Sequence, residues 1–230
     1  MSLNSSTLRP SDTVNTGLRD WLEQVDRLGE VTTIRGADRD LEMAGIWEIM
    51  SRENPSTVPV LVFDDIPGFP SGYRTLFGVL ESVRRIALTL RLDLEGTDII
   101  HCVKACRERL RQMVLIPPRK VTGGEILENI DQQEKVDLYK FPVPKHHEQD
   151  GGRYIGTGHC VITQDPDEGC INLGTYRCML QGKQTLGLHM SAGRDGRTML
   201  NKYLARGQSF KVAVAIGVDP ALHLASTMTV

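Results

Sequence analysis

The chain has 230 residues, enough for one large domain or two modest ones with a sizeable core. Hydrophobic residues make up 40% and charged residues 24%, and the net charge is −2. This balance is ordinary for a globular protein and gives no general attraction for nucleic acid or anionic lipid, so neither is an expected partner. Five cysteines without the spacing of a small disulfide scaffold predict reduced thiols and a cytoplasmic protein.

Residues 1–16 are rich in Ser and Thr and lack the apolar segment of a signal peptide, so we predict a flexible tail there. No stretch approaches the roughly 20 apolar residues that a membrane helix needs. We therefore expect no membrane association.

Alternating helical and strand patterns predict a small α/β domain over residues 17–118. The apolar residues between Leu18 and Leu28 repeat at helical spacing and are followed by Gly29, which suits the end of a helix. The pattern further predicts strands at 31–34 and 58–63 and helices at 41–50 and 81–90.

Several side chains of this first half have a packing role as their simplest interpretation. Trp21, Trp47 and Phe63 are expected in the core. Cys102 and Cys106 lie four residues apart and share a face if that stretch is helical. Packing is the favoured role for this pair, with metal or redox use as the alternative.

A boundary is predicted at Pro117-Pro118, because paired prolines oppose regular structure on both sides. Residues 119–230 then form a second domain, in which 136–144 is extended because Pro142 and Pro144 exclude a helix. A helix is expected at 196–206, and Pro220 suits the first turn of another. The predicted strands are 154–163, 170–180, 184–190 and 210–216.

The runs 170–180 and 184–190 flank a short Gly-containing break and predict a β-hairpin. Asn172, Thr175 and Arg177 are then expected to cluster on one strand. Arg177 carries a planar donor fork suited to carboxylate or phosphate, and Asn172 offers a neutral oxygen that hard metals accept. On chemistry alone, the strand is a candidate anion and metal site.

The same residues carry a family resemblance. Asn172 and Arg177 in a strand, preceded by Gly-Gly-Arg-Tyr-Ile-Gly-Thr157 and followed by Gly217-Val-Asp219-Pro220-Ala, resemble the UbiD-type decarboxylases. The resemblance runs from about Leu18 to the last residue and is densest after residue 150. It implies an α+β fold, in which the small α/β domain precedes a split β-barrel, incomplete at its C-terminus, that binds prenylated FMN with a divalent metal on the flavin phosphate.

The resemblance also implies roles for single residues. Asn172 would ligate the metal through its amide oxygen, and Arg177 would contact the cofactor and face the substrate carboxylate as the catalytic arginine. Oxygen ligands beside a phosphate favour Mn²⁺ or Mg²⁺ over Zn²⁺, and main-chain groups near Ser226 would help hold K⁺. The implied cofactor-binding residues are Thr157, Thr175, Tyr176, Arg177, Arg194, Ser226 and Met228.

The second metal ligand departs from the family pattern. The family's metal-binding histidine falls on Asp195, which can also ligate a hard cation but adds a negative charge. His189, six positions earlier, is the competing candidate, and its simpler interpretation is a structural histidine hydrogen-bonded in the sheet.

Other polar or reactive side chains near this region have simpler interpretations. His146 and His147, beside Glu148 and Asp150, are expected to form a solvated loop, with a metal site as the alternative. The cysteines of the second half are expected to be buried filler residues, because no base for thiolate chemistry is identifiable. They are Cys160, Cys170 and Cys178.

The activity implied is the non-oxidative, reversible decarboxylation of an aromatic or α,β-unsaturated carboxylic acid. A flavin prenyltransferase would supply the cofactor, and the full-length protein would be a homo-oligomer. The family's third metal-ligating side chain and acidic proton relay lie beyond the position matching Val230, so we expect an N-terminal half that is inactive alone. Two alternatives stay open: an FMN-binding oxidoreductase of split-barrel type, and a non-catalytic subunit that completes a site with a second chain.

Overall fold

The computed structural model describes residues 17–53, 55, 57–92, 98–114 and 116–228. The tail predicted at residues 1–16 lies outside the described residues. None of the helices in the described ranges combines the length and apolar character needed to span a bilayer.

The first half of the chain is a three-stranded sheet with helices. Strand β1 pairs parallel with β2, and β2 pairs antiparallel with β3, so β2 is central. The elements are α1 Leu18–Arg27, β1 Val31–Arg35, α2 Glu42–Glu53, β2 Val60–Asp64, β3 Thr75–Phe77, α3 Val83–Thr89 and α4 Ile99–Arg111.

The central strand β2 has a hydrophobic cluster on each of its faces. Alternate residues of a strand point to opposite faces, so Val60 and Val62 pack with Trp21 of α1 while Phe63 packs with Met43 of α2. The predicted core positions of Trp21 and Phe63 are confirmed, and both are fully buried. Trp47 is partly buried against the second cluster.

Two elements of this half were not predicted. Strand β3 has three residues, too few for a periodic signal. Helix α4 begins after Asp98, whose side chain accepts a hydrogen bond from the His101 amide at 2.7 Å. It places Cys102 and Cys106 on one face with their sulfur atoms 3.9 Å apart.

The second half contains two antiparallel three-stranded sheets, ordered β4-β7-β8 and β6-β5-β9. The predicted hairpin is confirmed as β7 and β8. The elements are β4 Tyr154–Gly156, β5 Cys160–Gln164, β6 Ile171–Gly174, β7 Arg177–Gly182, β8 Thr185–His189, α5 Asp195–Ala205, β9 Ala213–Ala215 and α6 Pro220–Thr227.

Two long predicted strands are each divided in the structure. The run 154–163 becomes β4 and β5, and the run 170–180 becomes β6 and β7, with each pair split between the two sheets. The prediction that Asn172 and Arg177 lie on one strand is therefore wrong. The chain leaves one sheet after Gly174 and enters the other at Arg177, because the intervening Tyr176 turns its ring into the protein.

The architecture is thus mixed α/β with small sheets. The described strands of the second half do not close into a barrel, and the split-barrel form stays a prediction. The extended run predicted at 136–144 is interrupted by a single 3-10 turn, Leu138–Lys140, capped by Asp137, which accepts from the Tyr139 amide at 2.9 Å.

The segment after this turn contacts the first half. Lys145 exchanges backbone hydrogen bonds with Arg39 and Leu41, at 2.9 and 3.1 Å. His146 is half-buried with its ring 5.6 Å from that of Phe77, and burial lowers its pKa, whereas His147 is exposed. The loop prediction therefore holds for His147, while His146 packs against the first half.

Candidate functional site

A cavity of about 510 Å³ lies between β6 and the first turn of α5. Three predicted site residues border it: Asn172, Asp195 and Met228. Its volume falls within the range of small-molecule pockets, about 300–1,000 Å³. Its other lining residues are Asp165, Cys170, Ile171, Leu173, Thr198, Met199 and Ala225.

Asn172 is positioned by its neighbours across the sheet. It pairs in register with Thr163 of β5, and its Nδ2 donates to Thr163 Oγ1 at 3.0 Å. The same Nδ2 lies 3.4 Å from Tyr176 Oη. Both amide protons are therefore directed at protein oxygens. None of the described residues donates to Oδ1, which is the atom that can bind a ligand.

Asp195 is the first residue of α5 and is exposed. A carboxylate is favourable there because the helix N-terminus carries a partial positive charge. It forms no ion pair with any described residue. The second carboxylate of the cavity, Asp165, is neutralised: Lys202 hydrogen-bonds it at 2.6 Å and lowers its pKa to about 2. Asp195 is thus the cavity carboxylate free to take a cation.

Tyr176 is buried, and its ring lies against two glycines. A Cβ added at Gly174 would come within 2.4 Å of the ring, and one at Gly196 within 2.8 Å. The hydroxyl accepts a hydrogen bond from the Gly196 amide at 3.0 Å. The side chain therefore joins the strand that carries Asn172 to the helix turn that carries Asp195.

Thr175 and Ser226, both predicted to bind the cofactor, contact each other. Their hydroxyl oxygens are 2.8 Å apart, and Ser226 Oγ donates to the His223 carbonyl at 2.6 Å. This pair fixes the end of α6, after which Met228 reaches the cavity.

His159 is a buried residue near the site that sequence reasoning missed. Its Nε2 bonds the Tyr176 carbonyl at 2.7 Å, while its buried Nδ1 has no hydrogen-bond partner among the described residues. Burial lowers its pKa, partly offset by the bond to that carbonyl. The sequence feature that could have indicated this packing is Gly156, because a Cβ at that position would lie 2.7 Å from the imidazole.

Of the seven predicted cofactor residues, Met228 lines the cavity and the other six lie outside its lining. Thr157, Arg177 and Arg194 are exposed, and the guanidinium carbon of Arg177 sits 5.8 Å from the Tyr154 ring centre. Arg177 pairs with His189 across the hairpin, in the sheet that does not contain Asn172. Of the two candidates for the second metal ligand, Asp195 lines the same cavity as Asn172, whereas His189 does not line it.

The cysteines divide into buried and exposed groups. Cys160 and Cys178 are fully buried, and burial raises the pKa of Cys178 to about 11. The prediction of a buried filler is wrong for Cys170, which is exposed on the cavity wall because it ends the turn before β6.

Within the described ranges, no group of three or more His, Cys, Asp or Glu side chains is placed to hold a metal.

Comparison with known proteins places this site in context. The second half, residues 119–230, matches the family of the UbiD 3-octaprenyl-4-hydroxybenzoate carboxy-lyase Rift-related domain. Over 211 residues the chain is 36% identical to the anhydromevalonate phosphate decarboxylase of Methanothermobacter thermautotrophicus, covering 90% of this chain and 44% of that protein.

Two solved structures share the fold over most of the chain. The vanillic acid decarboxylase of Sedimentibacter hydroxybenzoicus in closed form has a TM-score of 0.84 at 25% identity, covering 94% of this chain and 45% of that one. The UbiD-class enzyme HmfF of Pelotomaculum thermopropionicum, in complex with FMN, has a TM-score of 0.76 at 28% identity, covering 93% and 45%. The chain thus spans less than half the length of the relatives it matches.

Proposed function

Because this chain belongs to the UbiD family, we propose that it holds the metal and flavin of a decarboxylase acting on an aromatic or α,β-unsaturated carboxylic acid. The observation that carries the proposal is the shared cavity of Asn172 and Asp195. Two of the relatives that cover most of this chain are named decarboxylases, and HmfF is described in complex with FMN.

The cavity suits a hard divalent cation. Asn172 supplies Oδ1 and Asp195 supplies a carboxylate, and oxygen ligands of this kind are those of Mn²⁺ and Mg²⁺. Such ions take about six ligands or more, so phosphate oxygens and water complete the shell. In this proposal the two side chains would hold the metal, and the flavin phosphate would be a further ligand.

The flavin phosphate has a favourable position beside α5. The first-turn amides of a helix attract anions, and exposed Arg194 precedes that turn. Met228 borders the cavity and Ser226 anchors the preceding turn, so main-chain oxygens there would hold K⁺. Thr157 and Thr175 complete the proposed flavin contacts. Prenylated FMN, when bound, supplies the electron sink for loss of CO₂.

Arg177 is the proposed partner of the substrate carboxylate. Its guanidinium is exposed in the strand that follows Tyr176, and a planar donor fork suits a carboxylate. Orientation and charge complementarity are what it contributes. Because the chain spans less than half of its relatives, activity belongs in this proposal to the whole enzyme, a homo-oligomer supplied with cofactor by a flavin prenyltransferase.

The division into residues 17–118 and 119–230, with a split-barrel form for the second unit, is part of the same proposal. The family match that begins at residue 119 supports it. The first unit would then supply the packing surface for the segment around Lys145.

The test is cofactor retention by the chain produced together with a flavin prenyltransferase. We expect the purified chain to carry prenylated FMN and to bind Mn²⁺. Asn172→Ala and Asp195→Ala should each weaken Mn²⁺ binding at least tenfold. His189→Ala is the matched control, because this exposed residue lies in the other sheet.

Three results would redirect the assignment. Unmodified FMN with NAD(P)H oxidation selects the oxidoreductase. Co-purification with a chain that restores activity selects the subunit. Release of CO₂ by the 230-residue chain alone contradicts the expectation that it is inactive without further sequence.

A further inference from the structure

We infer that Tyr176 is a positioning residue that sets the geometry between the proposed metal ligands Asn172 and Asp195. This inference rests on the proposed function, because it concerns the same metal pair. Its evidence is a set of contacts made by one buried hydroxyl and one buried ring.

The first contact orients the amide of Asn172. Tyr176 Oη accepts from the Gly196 amide, and Thr163 Oγ1 directs its own proton toward Met199 Sδ at 3.4 Å. Both oxygens therefore present acceptor positions to Asn172, so the amide turns its NH₂ group toward them. Its oxygen accepts from none of the described residues, and because Asn172 lines the cavity, that oxygen is the atom available to a cation there.

The second contact fixes the helix turn that carries Asp195. The first amides of a helix need acceptors from outside it, and Arg194 at the N-cap makes no side-chain cap bond. Tyr176 Oη supplies an acceptor to Gly196, the residue directly after Asp195. A tyrosine from the β6–β7 connection thus takes the place of a local cap.

The ring makes this arrangement rigid. It is 7% exposed and lies against Gly174 and Gly196, neither of which leaves room for a Cβ. The hydroxyl therefore has little freedom to move relative to β6 or α5. Partners of metal ligands typically change metal affinity by about 10- to 100-fold when they are removed.

The test uses the full chain with saturating FMN and Mn²⁺ as the probe. Tyr176→Phe keeps the ring and removes the hydroxyl, so we expect the Mn²⁺ Kd to rise at least tenfold. The Gly196 amide should exchange its hydrogen at least tenfold faster. Thr163→Val should raise the Mn²⁺ Kd without changing Gly196 exchange, because it releases Asn172 and leaves the bond from the Gly196 amide to Tyr176 in place. Tyr203→Phe is the matched control, since that ring packs against Phe210 away from the cavity, and it should change neither quantity.

Each outcome bears on one claim. If wild type binds Mn²⁺ and Tyr176→Phe binds it equally well, the inference is overturned and the proposed function stands. If wild type with FMN binds no Mn²⁺, the proposed metal site fails and the inference fails with it. Should Tyr176→Phe not fold, 3-fluorotyrosine at position 176 keeps the ring and hydroxyl while weakening the acceptor, and an unchanged Kd then overturns the inference.

Discussion

Thr175 Oγ1 and Ser226 Oγ lie 2.8 Å apart although 51 residues separate them in the chain. Ser226 directs its own proton to the His223 carbonyl at 2.6 Å, so Thr175 is the donor in the 2.8 Å contact, which is shorter than its 3.4 Å contact with the His159 carbonyl. This two-step chain of hydrogen bonds ties the β6–β7 connection to the last turn of α6.

We expect Thr175→Val and Ser226→Ala each to lower the free energy of unfolding by about 1 kcal/mol, a typical net value for one hydrogen bond. The double variant should lose less than the sum, with a coupling of about 0.5–1 kcal/mol. Urea unfolding measures all three. Thr227→Ala, which removes an exposed hydroxyl one residue later, is the control and should stay within about 0.5 kcal/mol of wild type. Strict additivity would contradict the proposed chain of bonds.

The second prediction concerns the fully buried guanidinium of Arg85. It bonds Glu30 Oε2 at 2.8 Å and the carbonyls of Val58, Val79 and Gly78, while burial lowers its pKa. Glu30→Ala leaves this cation without its counter-charge, which should cost about 3–5 kcal/mol.

Arg84 provides the control for this pair. It contacts the same carboxylate at 3.0 Å, but its side chain is 50% exposed. Arg84→Ala should therefore cost less than about 1 kcal/mol in the same urea experiment. Equal losses for Glu30→Ala and Arg84→Ala would show that burial does not set the strength of this interaction.

Apart from α4, the α-helices and the hairpin could be predicted from local patterns, because their apolar spacing is set within each segment. Trp21 and Val25 recur at helical spacing, and β7 and β8 flank a short break. The division of the 170–180 run was not readable. It depends on the ring of Tyr176 meeting Gly196, a contact between residues 20 apart in sequence.

The candidate site, too, could be predicted from the sequence only in part. Family resemblance selected Asn172 and Asp195, and the structure places both on one cavity. The roles of Thr163 and His159 could not be read from local sequence, because Thr163 acts through cross-strand register and His159 through the Tyr176 carbonyl. Likewise, the burial of Arg85 depends on a carboxylate 55 residues away.

The third prediction is a pH dependence that originates at Asp165. The Lys202 ammonium, followed by the Asp167 amide, lowers the pKa of this carboxyl to about 2. An unfolded aspartate titrates near 3.9, so the folded pKa is depressed. The resulting stability is fully present above about pH 4 and is lost as the pH falls toward about 2. Asp165→Asn should make the free energy of unfolding less dependent on pH between about 4 and 2. Glu168→Gln, at an exposed neighbour, is the control and should leave the pH dependence of the free energy of unfolding as it is in wild type.

The fourth prediction concerns thiol reactivity. Cys170 is exposed on the cavity wall, whereas Cys160 and Cys178 are buried with raised pKa values. Cys106 also resists ionisation, because burial and the nearby Cys102 thiol raise its pKa to about 11. Ellman's reagent should therefore label Cys170 fastest, and Cys170→Ser should remove that phase. FMN with Mn²⁺ should slow it. A fast phase that persists in Cys170→Ser would contradict the assignment.

The last prediction uses Gly174 to move the Tyr176 ring. A Cβ at Gly174 would lie 2.4 Å from that ring, so Gly174→Ala should cost about 1–3 kcal/mol through overpacking. Because the displaced hydroxyl would release Asn172, Mn²⁺ binding in the presence of FMN should weaken in parallel. Gly182→Ala, where the nearest atoms are 3.8 Å away in Thr185, is the matched control in β7 and should leave Mn²⁺ binding unchanged. Urea unfolding and Mn²⁺ titration of both variants decide the case: if Gly174→Ala loses stability but keeps full Mn²⁺ affinity, the ring packs the fold without setting the metal ligands.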